Sequence, residues 1–145
     1  MNQPILYKCP VCDTVVEVLE DFGLELLCCG RQMQPLRHRL ARPADRHWPA
    51  LAWDRRGLTV SVGGDQPHPM DQAHCLRWVE VLAGNRCYRQ YFQPGELPKA
   101  FFDLPRGPVA VRCCCSVHGL WSNRQPECLR RDSALPASAS AMGVG

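Results

Sequence analysis

No stretch of this chain approaches the roughly 20 apolar residues that a membrane-crossing helix needs, so a helical anchor is not expected. Missing too is any basic helix or basic run interleaved with aromatics. The formal net charge of +3 is mild, and together these argue against a nucleic-acid partner. Lys8, Cys9, Cys12 and Asp13 interrupt the segment where an apolar secretory leader would lie. The expectation is a cytoplasmic protein that associates with neither membrane nor nucleic acid. There is no internal repeat. With 145 residues there is room for one ordinary domain, or for a small module and a domain of about 90 residues.

What the chain does have is ligating side chains, with ten cysteines and five histidines. A disulfide framework is the first reading to test. Cys28-Cys29 and Cys113-Cys114-Cys115 are contiguous runs, and neighbouring residues are poorly placed to bridge each other. Such spacing in an intracellular protein points to metal binding plus buried free thiols.

The richest set lies in the second half. His68-Pro69-Met70-Asp71-Gln72-Ala73-His74 supplies two imidazoles, and Cys115-Ser116-Val117-His118 a thiolate and a third. His47 makes a fourth available. Imidazole suits iron, copper, nickel or zinc, while thiolate donates strongly and tunes redox behaviour. Four nitrogens and one sulfur are one donor too many for a closed tetrahedral zinc site. They are one too few for an octahedron, so the set implies a centre with an open position. Near the N-terminus, Cys9-x-x-Cys12 can point two sulfurs at one ion, and Cys28-Cys29 offers two more. Adjacent ligands force an unusual angle at the metal, which disfavours a zinc-ribbon knuckle. Tetrahedral sulfur sites accept iron and zinc alike, and both stay open here.

Composition divides the chain into segments. Residues 1–36 carry cysteine pairs at either end with a Val15–Leu19 strand between, too little apolar surface to fold without a metal or a partner. Residues 37–44 read as a polar, basic linker in which His38 is solvated. From 45 to 130, short β-rich runs alternate with Gly and Pro, including Leu58–Val62, Cys87–Phe92 and Val109–Cys113. His74, Leu76, Trp78, Glu80 and Leu82 alternate as one side of a further strand, where Glu80 is either a partner of a histidine or a surface carboxylate. Trp78 and Trp121 read as core and site-wall packing. Regular short strands with turn signals indicate an all-β sandwich. Residues 131–145 are small, uncharged for most of their length and read as a disordered tail.

Read together, Arg46-His47-x-Pro49, His68-Pro69-Met70-x-x-x-His74, Trp78-x-Glu80 and Cys115-x-x-His118-Gly119-Leu120-Trp121 resemble the catalytic half of the desulfoferrodoxin or superoxide reductase family. Tyr7-Lys8-Cys9-Pro10-Val11-Cys12 and Leu27-Cys28-Cys29-Gly30-x-x-Met33 resemble desulforedoxin, the module fused ahead of that half in two-iron members. The resemblance covers residues 5 to about 122. It implies an Fe(Cys)4 site at Cys9, Cys12, Cys28 and Cys29 ahead of an immunoglobulin-like sandwich. In the sandwich it implies four equatorial histidines (His47, His68, His74 and His118), an axial Cys115 and a sixth position open to solvent. The implied reaction is one-electron reduction of superoxide to hydrogen peroxide at non-haem iron. Re-reduction comes from an external donor, a rubredoxin or a reductase, and the implied assembly is a homodimer. The alternative is a non-catalytic iron- or zinc-binding electron-transfer protein.

In the family's pattern a Glu-Lys pair precedes the first histidine ligand; here the pair is Asp45-Arg46. Arg46 keeps the charge that would steer superoxide. A guanidinium stays protonated, so Arg46 can orient a proton-giving water but not give the proton itself. Asp45 keeps the carboxylate on a shorter arm than the glutamate that can close the sixth position of the oxidised iron.

Overall fold

A computed structural model describes residues 5–23 and 25–124. The tail expected at 131–145, and Cys128, lie outside the described residues. Every regular element among the described residues is a strand, and no helix is long and apolar enough to cross a membrane. The chain separates into two compact units, Asn2–Arg37 and His38 onward.

The first unit holds β1 (Ile5–Lys8), β2 (Val15–Val18), β3 (Leu27–Cys28), β4 (Arg31–Gln32) and β5 (Gln34–Pro35). They form a three-stranded sheet in the order β2-β1-β5 and a two-stranded β3-β4 ladder. Among the described residues, Leu6, Cys9 and Met33 are its buried apolar side chains, a core too small to hold the unit alone. Ile5, Val15, Leu19, Phe22 and Leu27 are exposed.

The second unit contains β6 (Arg39–Leu40), β7 (Pro49–Trp53), β8 (Leu58–Val62), β9 (Leu76–Ala83), β10 (Arg86–Tyr91), β11 (Lys99–Phe102), β12 (Ala110–Cys115) and β13 (Gly119–Ser122). One sheet runs β10-β9-β12-β13-β6 and the other β11-β8-β7. Their inner faces share one core: Leu58, Val60, Val62, Ala100 and Phe102 from the smaller sheet meet Leu76, Val79, Val81, Val111 and Cys113 from the larger. In β8, burial alternates with the sequence, as expected of a strand with one face inward. Each fully buried aliphatic side chain contributes about 1.5–3 kcal/mol. The result is the immunoglobulin-like β-sandwich anticipated from the strand pattern and the resemblance.

Four local readings change. Leu76, Trp78, Glu80 and Leu82 are buried as a strand side would be, but so are Val79 and Val81. The ladder between β9 and β12 shifts register at Cys114/Cys115, pairing Cys114 with Trp78 and Cys115 with Leu76. This bulge puts Leu76 in the core beside Val79 and Val81 and leaves His74 in the loop ahead of the strand. Glu80 is neither a surface carboxylate nor a partner of a histidine. It is fully buried, pairs with the guanidinium of Arg112 and accepts from Arg89 at 2.6 Å. His38 is 6% exposed rather than solvated, and burial followed by the nearby Arg112 charge lowers its pKa. Arg39 and Leu40, within the segment read as a linker, form β6 and pair in parallel with Trp121 and Ser122.

Candidate metal centres

The four sulfurs of Cys9, Cys12, Cys28 and Cys29 all lie within 4.8 Å of one another. Cys9 begins a tight turn in which the amides of Val11 and Cys12 both donate to its Sγ at 3.4 Å. The turn closes through Cys9 N to Thr14 O (2.9 Å) and through a positive φ of 64° at Asp13. Adjacent Cys28 and Cys29 reach one point because Cys29 adopts a left-handed φ of 53° just past β3, turning its sulfur back toward that of Cys28. A non-glycine residue there costs about 1–3 kcal/mol and persists only where its surroundings fix it. Without a cation the cluster is electrostatically mismatched. The Thr14 hydroxyl, 3.0 Å from Cys12 Sγ, is the main cause that lowers the Cys12 pKa to about 6. Cys28 is pushed up to about 12, chiefly through its interaction with Cys9, and Cys29 is raised too, chiefly through Cys12. A bound metal removes that conflict by taking the protons' place.

In the second unit, four imidazoles form a closed square. Ring centroids are 5.0 Å apart for His47–His68, 4.9 Å for His68–His74, 5.0 Å for His74–His118 and 5.1 Å for His118–His47. Cys115 Sγ lies 3.1 Å from His74 Nε2 and 3.6 Å from His118 Nδ1. The donor atoms of His47, His74, Cys115 and His118 all fall within 4.8 Å of one another, and His68 completes the square as its remaining corner.

Local folding places each donor. Gly63, at φ 96°, ends β8 in a turn that returns the His68 amide to Val62 O. A Cβ at this glycine would run into the Gln66 carbonyl and the His68 amide. The His68 Nδ1–H donates to Pro69 O at 2.7 Å, which leaves Nε2 as the lone-pair nitrogen. The Asp71 carboxylate caps the amides of Ala73 and His74 at 3.0 and 2.8 Å. Ser116 ties the loop to the β12–β13 hairpin, its amide donating to Cys75 O and its Oγ accepting from the Cys75 amide. Within the hairpin, the amides of Val117 and His118 donate to Cys115 Sγ at 3.4 Å, the same turn that Cys9 makes. His47 sits in the turn before β7 and its ring stacks on Trp121.

The donor set fits a metal. His47 Nε2 and His68 Nε2 are buried with no hydrogen-bond partner, a costly state that a coordinated ion would relieve. Burial, reinforced by His68, His118 and His74, lowers the His47 pKa to about 4. Burial lowers that of His68 as well, against the pull of the Pro69 carbonyl. Both rings are therefore neutral at neutral pH, the form that ligates. Cys115 and His68 are buried, His47 and His74 half-buried, and His118 is exposed. Four neutral nitrogens and a thiolate of this kind suit a redox-active iron with a position to spare.

Asp45 and Arg46 precede the square on the His47 turn. The Asp45 carboxylate accepts from the Arg42 amide at 2.8 Å, a bond that already employs Oδ2. Arg46 is exposed, and its charge is felt at His68. The sequence gives Trp121 no more than a packing role and Cys113 that of a buried thiol, without the bond that Cys113 Sγ donates to His47 O at 3.4 Å. Both relationships arise from tertiary pairing, and local sequence carries no signal for them.

The comparisons with known proteins agree with this geometry. The desulfoferrodoxin family model matches residues 41–124, and the model of the desulfoferrodoxin N-terminal domain matches residues 2–36. The chain is 40% identical over 119 residues to a desulfoferrodoxin of Syntrophotalea carbinolica, covering 81% of this chain and 94% of the relative. It is 28% identical over 97 residues to a superoxide reductase of Pyrococcus horikoshii, covering 54% of this chain and 84% of the relative. The crystal structure of the superoxide reductase from Treponema pallidum shares the fold, with a TM-score of 0.68 at 18% identity over 84% of this chain and 98% of that one. With both halves matched and both donor sets assembled, the chain belongs to the desulfoferrodoxin family, and it carries that family's two iron sites.

Proposed function

We propose that the protein is a superoxide reductase, converting superoxide and two protons to hydrogen peroxide with one electron. The observation that carries this reading is the square of four imidazoles with the Cys115 thiolate beside it, buried where His118 is exposed. His47, His68, His74, His118 and Cys115 are the proposed ligands. When bound, the iron supplies the electron. Neutral imidazoles and one thiolate leave a ferrous centre with a net charge of +1, which favours a small anion. The Cys115 sulfur that would help hold the iron is buried and accepts two amides, while His118, which would share the ion with it, is exposed to solvent. Arg46 steers superoxide and orients the water that delivers protons, because its own guanidinium does not give one up. Asp45 keeps the turn that carries His47 in shape through Arg42.

An electron donor, a rubredoxin-like protein or a reductase, restores the ferrous state. The exposed Ile5, Val15, Leu19, Phe22 and Leu27 favour a homodimer formed through the N-terminal module. A reducing compartment, the cytoplasm, suits donor sets built from thiolates.

The reaction is tested by adding superoxide to the reduced protein in the absence of oxygen. One hydrogen peroxide per superoxide and no evolved oxygen is the expected yield; oxygen release would indicate dismutation instead. A colourless, zinc-loaded preparation without this activity would favour the non-catalytic alternative.

The role of Arg46 has its own expected result. Arg46→Ala slows the second-order reaction with superoxide at low salt, within the roughly 10- to 1,000-fold range of electrostatic steering, and flattens its salt dependence. Arg46→Lys retains most of the rate, and metal content is the same in all three proteins. Pulse radiolysis across a salt series measures this, and equal slopes for the alanine variant and the unaltered protein would assign the attraction to the rest of the molecule.

The two centres share no ligand. Cys12→Ser is therefore expected to abolish the visible absorption of the N-terminal site and leave superoxide reduction largely intact. Simultaneous loss of both, followed by absorption and peroxide yield, would show that the sites depend on each other.

A further inference from the structure

We infer that Trp121 is the positioning residue for His47, setting the plane of its ring and so the direction of its donor nitrogen. This rests on the proposed role of His47 as an iron ligand.

An imidazole donates in its own plane, so tilting the ring moves the lone pair off the metal. The torsion that tilts it is soft, with broad and roughly two-fold preferences, and the rotamer alone does not fix it. The other three rings are in segments pinned close by. His68 is fixed by Pro69 O, His74 by the Asp71 cap and His118 by the amide turn on Cys115. His47 instead lies flat against the Trp121 indole, with centroids 4.3 Å apart and planes within 2°.

The sheet brings this support to the right place. Cys113, Trp121 and Arg39 are register partners across β12, β13 and β6, forming one row. Cys113 Sγ donates to the His47 carbonyl at 3.4 Å, and the Arg39 guanidinium lies over the indole, 5.5 Å from its centroid. The row thus holds the His47 backbone at one point and its ring at another. Trp121 Nε1 is buried with no hydrogen-bond partner. A buried donor left unused calls for an explanation, and the one offered by the geometry is that the indole supplies a broad flat face.

The test measures how well the full chain holds iron at the histidine-rich site, by competition with a chelator, and records the electron paramagnetic resonance signal of the oxidised protein. Trp121→Leu is expected to weaken iron binding about 10- to 100-fold, as loss of a ligand's outer support does elsewhere, and to change the symmetry of the signal. Trp121→Phe recovers most of both. In a His47→Ala background, Trp121→Leu has no further effect on either. A full additional loss in that background would mean Trp121 acts through general packing and would overturn the inference. Unchanged iron binding in His47→Ala alone overturns the ligand assignment and this inference with it. A weakened His47→Ala beside a normal Trp121→Leu overturns this inference alone. If Trp121→Leu does not fold, the surface change Arg39→Ala takes its place. It is expected to shift the signal in the otherwise unaltered protein and not in His47→Ala, and an unshifted signal overturns the proposal.

Discussion

Cys115→Ser is expected to abolish the sulfur-to-iron charge-transfer band of the oxidised protein and to cut superoxide turnover by more than about 100-fold. Disturbing a ligand's outer partner already costs 10- to 100-fold in affinity or activity, and losing the ligand costs at least that. The thiolate is the ligand, and a serine hydroxyl stays protonated at neutral pH. The surroundings of Cys115 accentuate the loss. Cys115 is 2% exposed and its sulfur accepts the amides of Val117 and His118, so the substitution disturbs the turn that also places His118. Cys114→Ser, one position earlier on the same strand, is the control: a packing cost of about 1 kcal/mol and an intact band are expected. Absorption spectroscopy of the oxidised proteins separates the two. A surviving band in Cys115→Ser would mean that another sulfur of the triple run donates.

Glu80→Gln is expected to destabilise the sandwich by about 3–5 kcal/mol, the range measured when one partner of a buried ion pair is removed. The Glu80 carboxylate is fully buried and serves two guanidiniums at once: it pairs with Arg112, 4% exposed, and accepts from both Nε and Nη2 of Arg89. A neutral amide preserves the volume and removes the charge both arginines share. Against a total stability of about 5–15 kcal/mol, such a loss is a large fraction. Urea unfolding followed by tryptophan fluorescence would report it. An unfolding free energy within about 0.5 kcal/mol of that of the unaltered protein would mean that other partners of the arginines suffice.

The candidate ligands were legible because metal chemistry is written in short local patterns. Cys9-x-x-Cys12, His68 to His74 and Cys115-x-x-His118 each declare themselves within a single loop, and the structure gathers them as the resemblance implied. The strands were legible for a related reason: Leu58–Val62 alternates cleanly between core and surface, as period-two structure does. What failed depended on neighbours distant in sequence. A bulge opposite Cys114/Cys115 interrupted the alternation that began at His74. Glu80 read as a histidine's partner or a surface carboxylate because nothing nearby announces Arg112, and Arg39 looked like linker because its parallel partner is Trp121. Pairing across the sheet decided all three, and single-sequence periodicity does not contain it.

The turn that begins at Cys9 recurs at Cys115, with two successive amides donating to the leading sulfur at 3.4 Å in each case. That turn constrains its first residue, the sulfur that accepts both amides, and its fifth, which takes a left-handed φ as Asp13 (64°) in one and Gly119 (80°) in the other. Its fourth residue is cysteine in one place and histidine in the other, so the backbone tolerates either ligand while the charge delivered to the ion differs by one unit. One interchangeable chelating loop thus serves two iron sites of opposite character, a sulfur cage and a nitrogen-rich open face. The choice between them is made by a single side chain in each loop and by what the rest of the fold brings to meet it.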